Sequence, residues 1–133
     1  TVPADTNISG GSTPQTVKIK IASLGAGVFT VSVPLSGDTI TLTSVTRQLV
    51  TNPAGTIGAL TIVFPVATGL VHGQRFGLCS TQIVTVLTLT AGAGTTIQAS
   101  TKPSALAVPP TTGAGTCYEW AYNLADTTWY RVQ

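Results

Sequence analysis

From residue 16 onward, apolar and polar positions alternate with a period of two in a series of short runs. Alternation of this kind puts successive side chains on opposite faces of a strand. In Val17-Lys18-Ile19-Lys20-Ile21 the apolar residues alternate with lysines, which predicts a half-buried strand with one wet or interfacial face. Gly25 and Gly27 mark a turn. Phe29, Val31 and Val33 then alternate with Thr30 and Ser32 up to Pro34. After the Ser36-Gly37-Asp38 turn, Ile40 and Leu42 alternate with threonines. A short strand over Arg47 to Thr51 is closed by Asn52-Pro53-Ala54-Gly55, and Leu60, Ile62 and Phe64 form a further face stopped by Pro65. Beyond the glycines at 69 and 73 come Arg75-Phe76-Gly77-Leu78-Cys79 and then the longest run, Ile83 to Thr90. That run is apolar on both sides at its start, which predicts a central strand.

A strand around Ile97 is followed by a loop over Ser100 to Gly115, rich in proline and glycine. The C-terminal part reads as a hairpin. Tyr118, Trp120 and Tyr122 share one face, Asn123 to Thr127 turn the chain, and Trp129 and Arg131 alternate with Tyr130 and Val132. No segment holds a helical period over three turns. Roughly nine or ten short strands at regular spacing predict an all-β domain, a β-sandwich, jelly roll or barrel, of which a jelly-roll-like β-sandwich is the expected form. Residues 1–15 contain Gly, Pro and Ser without periodicity and predict an extended N-terminal arm, leaving 16–133 as one domain.

Composition sharpens this picture. Hydrophobic residues make up 43% of the 133, whereas charged residues make up 8%, against about 25% in an ordinary soluble domain. Threonine and valine, both β-branched, suit strands. A surface with so few Lys, Glu and Arg residues is poorly guarded against association, so we expect partners to cover much of it. The net charge is +2, and the densest basic cluster is Lys18 with Lys20. Nucleic-acid binding, which needs several clustered cations, is therefore not expected. No apolar run reaches the ~18 residues of a membrane-spanning helix, and no signal peptide is evident.

The inventory for chemistry is thin. His72 is the only histidine, and the carboxylates are Asp5, Asp38, Glu119 and Asp126. Their spacing suggests no acid–base pair, and the aspartates fit turns. Cys79 and Cys117 could pair, but two small buried thiols are the favoured reading. No metal-ligand spacing, nucleotide loop or nucleophile elbow is present, so neither enzyme activity nor a cofactor is expected. The aromatic residues Trp120, Tyr122, Trp129 and Tyr130 concentrate in the last hairpin. They suit a core, a subunit interface or a platform for sugar rings.

From about Gly58 to Val132 the chain resembles a module of tailed-bacteriophage virion proteins, found in tail fibres and capsid-surface proteins. Four stretches carry the likeness: Leu60 to Pro65; Gly73-Gln74-Arg75-Phe76; Val86-Leu87-Thr88-Leu89 with Gly94 to Ile97; and Tyr118-Glu119-Trp120-Ala121-Tyr122 followed by Thr128-Trp129-Tyr130-Arg131. The resemblance implies a β-sandwich that assembles as an oligomer on a phage particle. A short chain with no long shaft resembles a capsid cement or decoration protein more than a fibre. The expected partners are the major capsid protein and further copies of the chain, as a homodimer or homotrimer on the outer capsid surface. Val2, Pro3 and Ile8 of the arm, with Lys18 and Lys20, are the expected shell contacts. The alternative is a fibre module that binds host glycan through the terminal aromatics.

Overall fold

The computed structural model describes residues 27–99, 102–106 and 116–133. The arm, the strand expected at 17–21 and the capsid-contact candidates Val2, Pro3, Ile8, Lys18 and Lys20 lie outside these residues. Nine strands follow one another: β1 (Val28–Ser32), β2 (Thr39–Thr41), β3 (Thr46–Thr51), β4 (Ile57–Val63), β5 (Arg75–Ser80), β6 (Val84–Thr90), β7 (Thr96–Ile97), β8 (Thr116–Asn123) and β9 (Thr128–Arg131). The all-β expectation holds, with no α-helix among the described residues.

The strands form two sheets, a six-stranded one ordered β1-β3-β5-β8-β9-β7 and a three-stranded one ordered β2-β4-β6. The first six strands alternate between the sheets. The chain therefore coils, and each of the first four strands pairs in parallel with the strand two places on. A jelly roll is built from antiparallel neighbours; here antiparallel pairing of named strands begins only at β5–β8 and β8–β9. The coil is possible because crossings between the sheets are short. Residues 33–38, 42–45 and 52–56 connect the first four strands.

Register stacks like on like. Leu49 lies opposite Leu78, Leu60 opposite Leu87 and Ile62 opposite Leu89, so inward columns run along both sheets and meet in one core. The longest apolar run, expected to be central, forms β6 at the edge of the smaller sheet. One of its faces is buried through Val84, Leu87 and Leu89, while Val86 is exposed. Its outer edge is met by an isolated bridge between Val84 and Leu106, with Leu87 N–H also donating to the Ser104 carbonyl at 2.8 Å. Mixed apolar character thus reflects local cover from residues 102–106 rather than a flanking strand.

Phe64 sits at the middle of the core. Its ring meets Phe76, Trp120 and Trp129 edge-on, with centroids 5.2, 5.2 and 5.5 Å away, the geometry aromatic quadrupoles favour. The turn after β6 packs its backbone on the segment that carries this ring. A Cβ at Gly92 would collide with the Phe64 and Pro65 carbonyl oxygens, so only glycine fits there.

Candidate functional site

Strand alternation sorts the side chains of the larger sheet into two faces. The inner face holds Leu49, Phe76, Leu78, Trp120, Tyr122 and Trp129, all buried. Trp120, Tyr122 and Trp129, candidates for a subunit interface or a glycan platform, are therefore core residues. At 0%, 1% and 0% exposure they offer no surface to a sugar ring or a neighbouring subunit. The clustering of aromatic residues in the hairpin reflects how much of the core this late segment fills. The polar heads of the three, Trp120 Nε1, Tyr122 Oη and Trp129 Nε1, are buried without a hydrogen-bond partner. Tyr130 points the other way, opposite Ala121, and its hydroxyl donates to Asp126 Oδ2 at 2.7 Å.

The outer face of the same sheet starts with Phe29 and Val31 on β1, which are 64% and 54% exposed. Gln48 and Val50 of β3 follow in register, then Gly77 and Cys79 of β5, then Cys117 and Glu119 of β8. Cys79 and Cys117 lie directly opposite one another in the β5–β8 ladder, with Cα atoms 4.0 Å apart, and form a disulfide. The expectation of two buried thiols is thus overturned. Outward-pointing partners on adjacent antiparallel strands are close enough to bond, a proximity fixed by register and invisible in a separation of 38 residues.

A groove of about 290 Å³ opens beside this bond. It is lined by Arg47, Gln48, Gly77, Cys79, Cys117, Tyr118, Glu119 and Gln133. Gln48 Nε2 donates to Cys79 Sγ at 3.2 Å, its side chain lying over Gly77 where any Cβ would collide with it. Glu119 pairs with Arg75 at 3.2 Å, and the Arg131 guanidinium lies 4.5 Å from the centre of the Tyr118 ring. Arg47 is turned toward the backbone, donating to the Ser44 carbonyl at 2.8 Å. The groove therefore presents amide and carboxylate hydrogen-bonding groups beside an oxidised sulfur pair.

The remaining titratable candidates are held in turns. Asp38 Oδ2 accepts from Leu35 N–H at 2.8 Å, and His72 Nδ1 accepts from Leu124 N–H at 3.3 Å, tying the loop before β5 to the last hairpin. Asp126 accepts from Tyr130 and from Thr128 N–H. The Tyr130 hydrogen bond chiefly, with those from Thr128 and Asn123, holds its carboxyl below the usual range despite some desolvation. The same bond raises the Tyr130 phenol. Among the described residues, no three of His, Cys, Asp and Glu gather in a metal-binding arrangement.

Sequence reasoning treated the residues around β1 only as a strand and did not single out their exposed side. Val28, Phe29, Val31, Val33 and Leu35 all remain exposed there. The available signal was a run of large apolar residues with no charge among them between Val28 and Leu35. Comparison of the chain with protein-family models, curated proteins and solved structures finds no match.

Proposed function

We propose that the protein is a non-enzymatic virion structural protein of a bacteriophage, a capsid cement or decoration protein that seats on the outer shell between major capsid subunits. The observation that carries this reading is the outer face of the larger sheet. It presents exposed Phe29 and Val31 and half-buried Val50 beside a groove, and its Arg75 and Glu119 neutralise one another. A sheet face of this kind needs cover, and the resemblance of residues 58–132 to phage surface modules names the kind of cover. In this reading the two facing sheets act as a sandwich-like body and copies associate as a homodimer or homotrimer. Many weak contacts repeated over a symmetric shell add up to firm retention. The arm at 1–15 supplies further contacts through its backbone, as extended segments do when they join a neighbour.

The test is a binding assay on shells that lack the protein. A chain without residues 1–15 should keep the β-sheet signal in circular dichroism and lose co-sedimentation with the shells. Undiminished co-sedimentation would count against the arm as a shell contact. The competing reading, a fibre module for host glycan, now rests on the groove of Gln48 and Glu119 rather than on the terminal tryptophans. It predicts retention on a glycan array that Gln48→Ala abolishes.

A further inference from the structure

The chain's two cysteines are joined in one disulfide, and its two sulfurs stand in unequal surroundings. Cys79 is half-buried on β5, between β3 and β8. Val50 sits opposite it on β3, and Gln48 Nε2 donates to its sulfur at 3.2 Å. Gln48 reaches that sulfur because its own register partner is Gly77. With no Cβ at that position, the amide lies across β5 toward Cys79. Cys117, on β8, is exposed. Both cysteines line the groove, so a small molecule there meets the bond while the strands stay paired. The β5–β8 ladder continues on both sides of the bond, from Arg75–Ala121 to Ser80–Thr116, and it remains to hold the strands when the sulfurs part.

We propose that Cys117 is a modification site for a low-molecular-weight thiol, which bonds to this sulfur and displaces Cys79. The external thiolate attacks Cys117 Sγ. A new sulfur–sulfur bond forms there as the Cys79–Cys117 bond breaks. The electron pair passes to Cys79 Sγ, which leaves as a thiolate and takes a proton from solvent. The products are a mixed disulfide at Cys117 and a free thiol at Cys79. Access and the stability of the departing thiolate set the direction of such exchange. Access favours Cys117, since Cys79 is hemmed by Val50 and Gln48. The departing charge favours Cys79, because the hydrogen bond that Gln48 already makes to this sulfur strengthens when the acceptor becomes an anion. Both effects therefore select the same sulfur for entry. The assignment does not depend on the capsid reading.

The full, folded chain in excess 2-mercaptoethanol tests it, with acid quenching at early times and peptide mapping of the adduct. Cys117 should carry the adduct in preference to Cys79 by about fivefold or more. The initial rate should rise in proportion to thiol concentration, as direct attack on the folded chain requires. An equal or reversed distribution would overturn the proposal. So would a rate that levels off as thiol is raised, because exchange would then wait on opening of the strands. Gln48→Leu removes the amide donor. It should slow the exchange about fivefold, the worth of one hydrogen bond, and move the adduct ratio toward one. A Gln48 that only packs in the groove would leave the ratio where it was, and an unchanged ratio would overturn its part in the displacement.

Discussion

Tyr122 buries its ring against Trp129, with centroids 5.0 Å apart, yet its hydroxyl has no partner. A buried hydroxyl without a hydrogen bond costs about 1–3 kcal/mol of desolvation with nothing gained in return. Tyr122→Phe keeps the ring and removes that cost. Urea unfolding should show the variant as stable as the parent or more so, by up to about 1 kcal/mol. A loss of stability would reveal a partner for the hydroxyl. The Tyr130–Asp126 pair behaves differently because both groups titrate. Asp126 is lowered from 3.8 in the folded chain, so its contribution to stability is complete above that value and fades as pH falls through the lowered one. Tyr130 is raised from 10.0, so its contribution is complete below that value and fades as pH rises through the raised one. An NMR titration of Tyr130→Phe should return the Asp126 carboxyl toward 3.8, and an unmoved carboxyl would show that Thr128 and Asn123 suffice.

The disulfide acts at the level of the element. It fastens β8, which delivers Trp120 and Tyr122 to the core, onto β5 and closes a loop of 38 residues. Chain-entropy arguments assign about 4 kcal/mol to a loop of this size. Replacing both cysteines by serine should lower unfolding stability in urea by about 2–4 kcal/mol, and adding a reductant to the parent should reproduce the change. Equal midpoints with and without reductant would show that strand pairing alone holds β8. The strands themselves were largely legible in the sequence. Phe29-Thr30-Val31, Ile40 with its flanking threonines, and Trp120 with Tyr122 all lie in strands near the expected bounds. Alternation reports that two residues share a face, and it does not say which strand lies alongside. Leu49 finds Leu78 while Ile40 finds Ile62, and such unequal steps leave no repeat to detect. For the same reason the pairing of Cys79 with Cys117, and the groove beside it, could not be read ahead of the ladder that creates them.

Across the whole molecule, scarcity of charge and openness of surface point the same way. Six lysines and arginines and four carboxylates serve 133 residues. One pair of them, Arg75 with Glu119, is spent on mutual neutralisation, and such exposed pairs contribute little to folding. The apolar outer face is thus left without the like-charge repulsion that keeps ordinary domains apart. The double substitution Phe29→Lys and Val31→Lys changes residues that are already solvent-exposed in the single chain. It should leave the melting temperature within a few degrees of the parent and shift sedimentation toward monomer. Unaltered sedimentation would count against this face as the self-contact proposed above.

Alternation of the first six strands between two sheets also sets the order in which the molecule can form. Of the strand pairs described, only β8 with β9 joins neighbours along the chain; every other ladder must wait for an intervening strand to be threaded across. Entropy of loop closure is therefore lost before most pairings contribute, which is the condition for slow, millisecond-to-second folding. On a ribosome the problem is sharper, because the one local hairpin, with two tryptophans that complete the core, emerges late. Until then the nascent coil exposes Phe64 and its neighbours, and the sheets wait for β8 and β9 to become a finished fold.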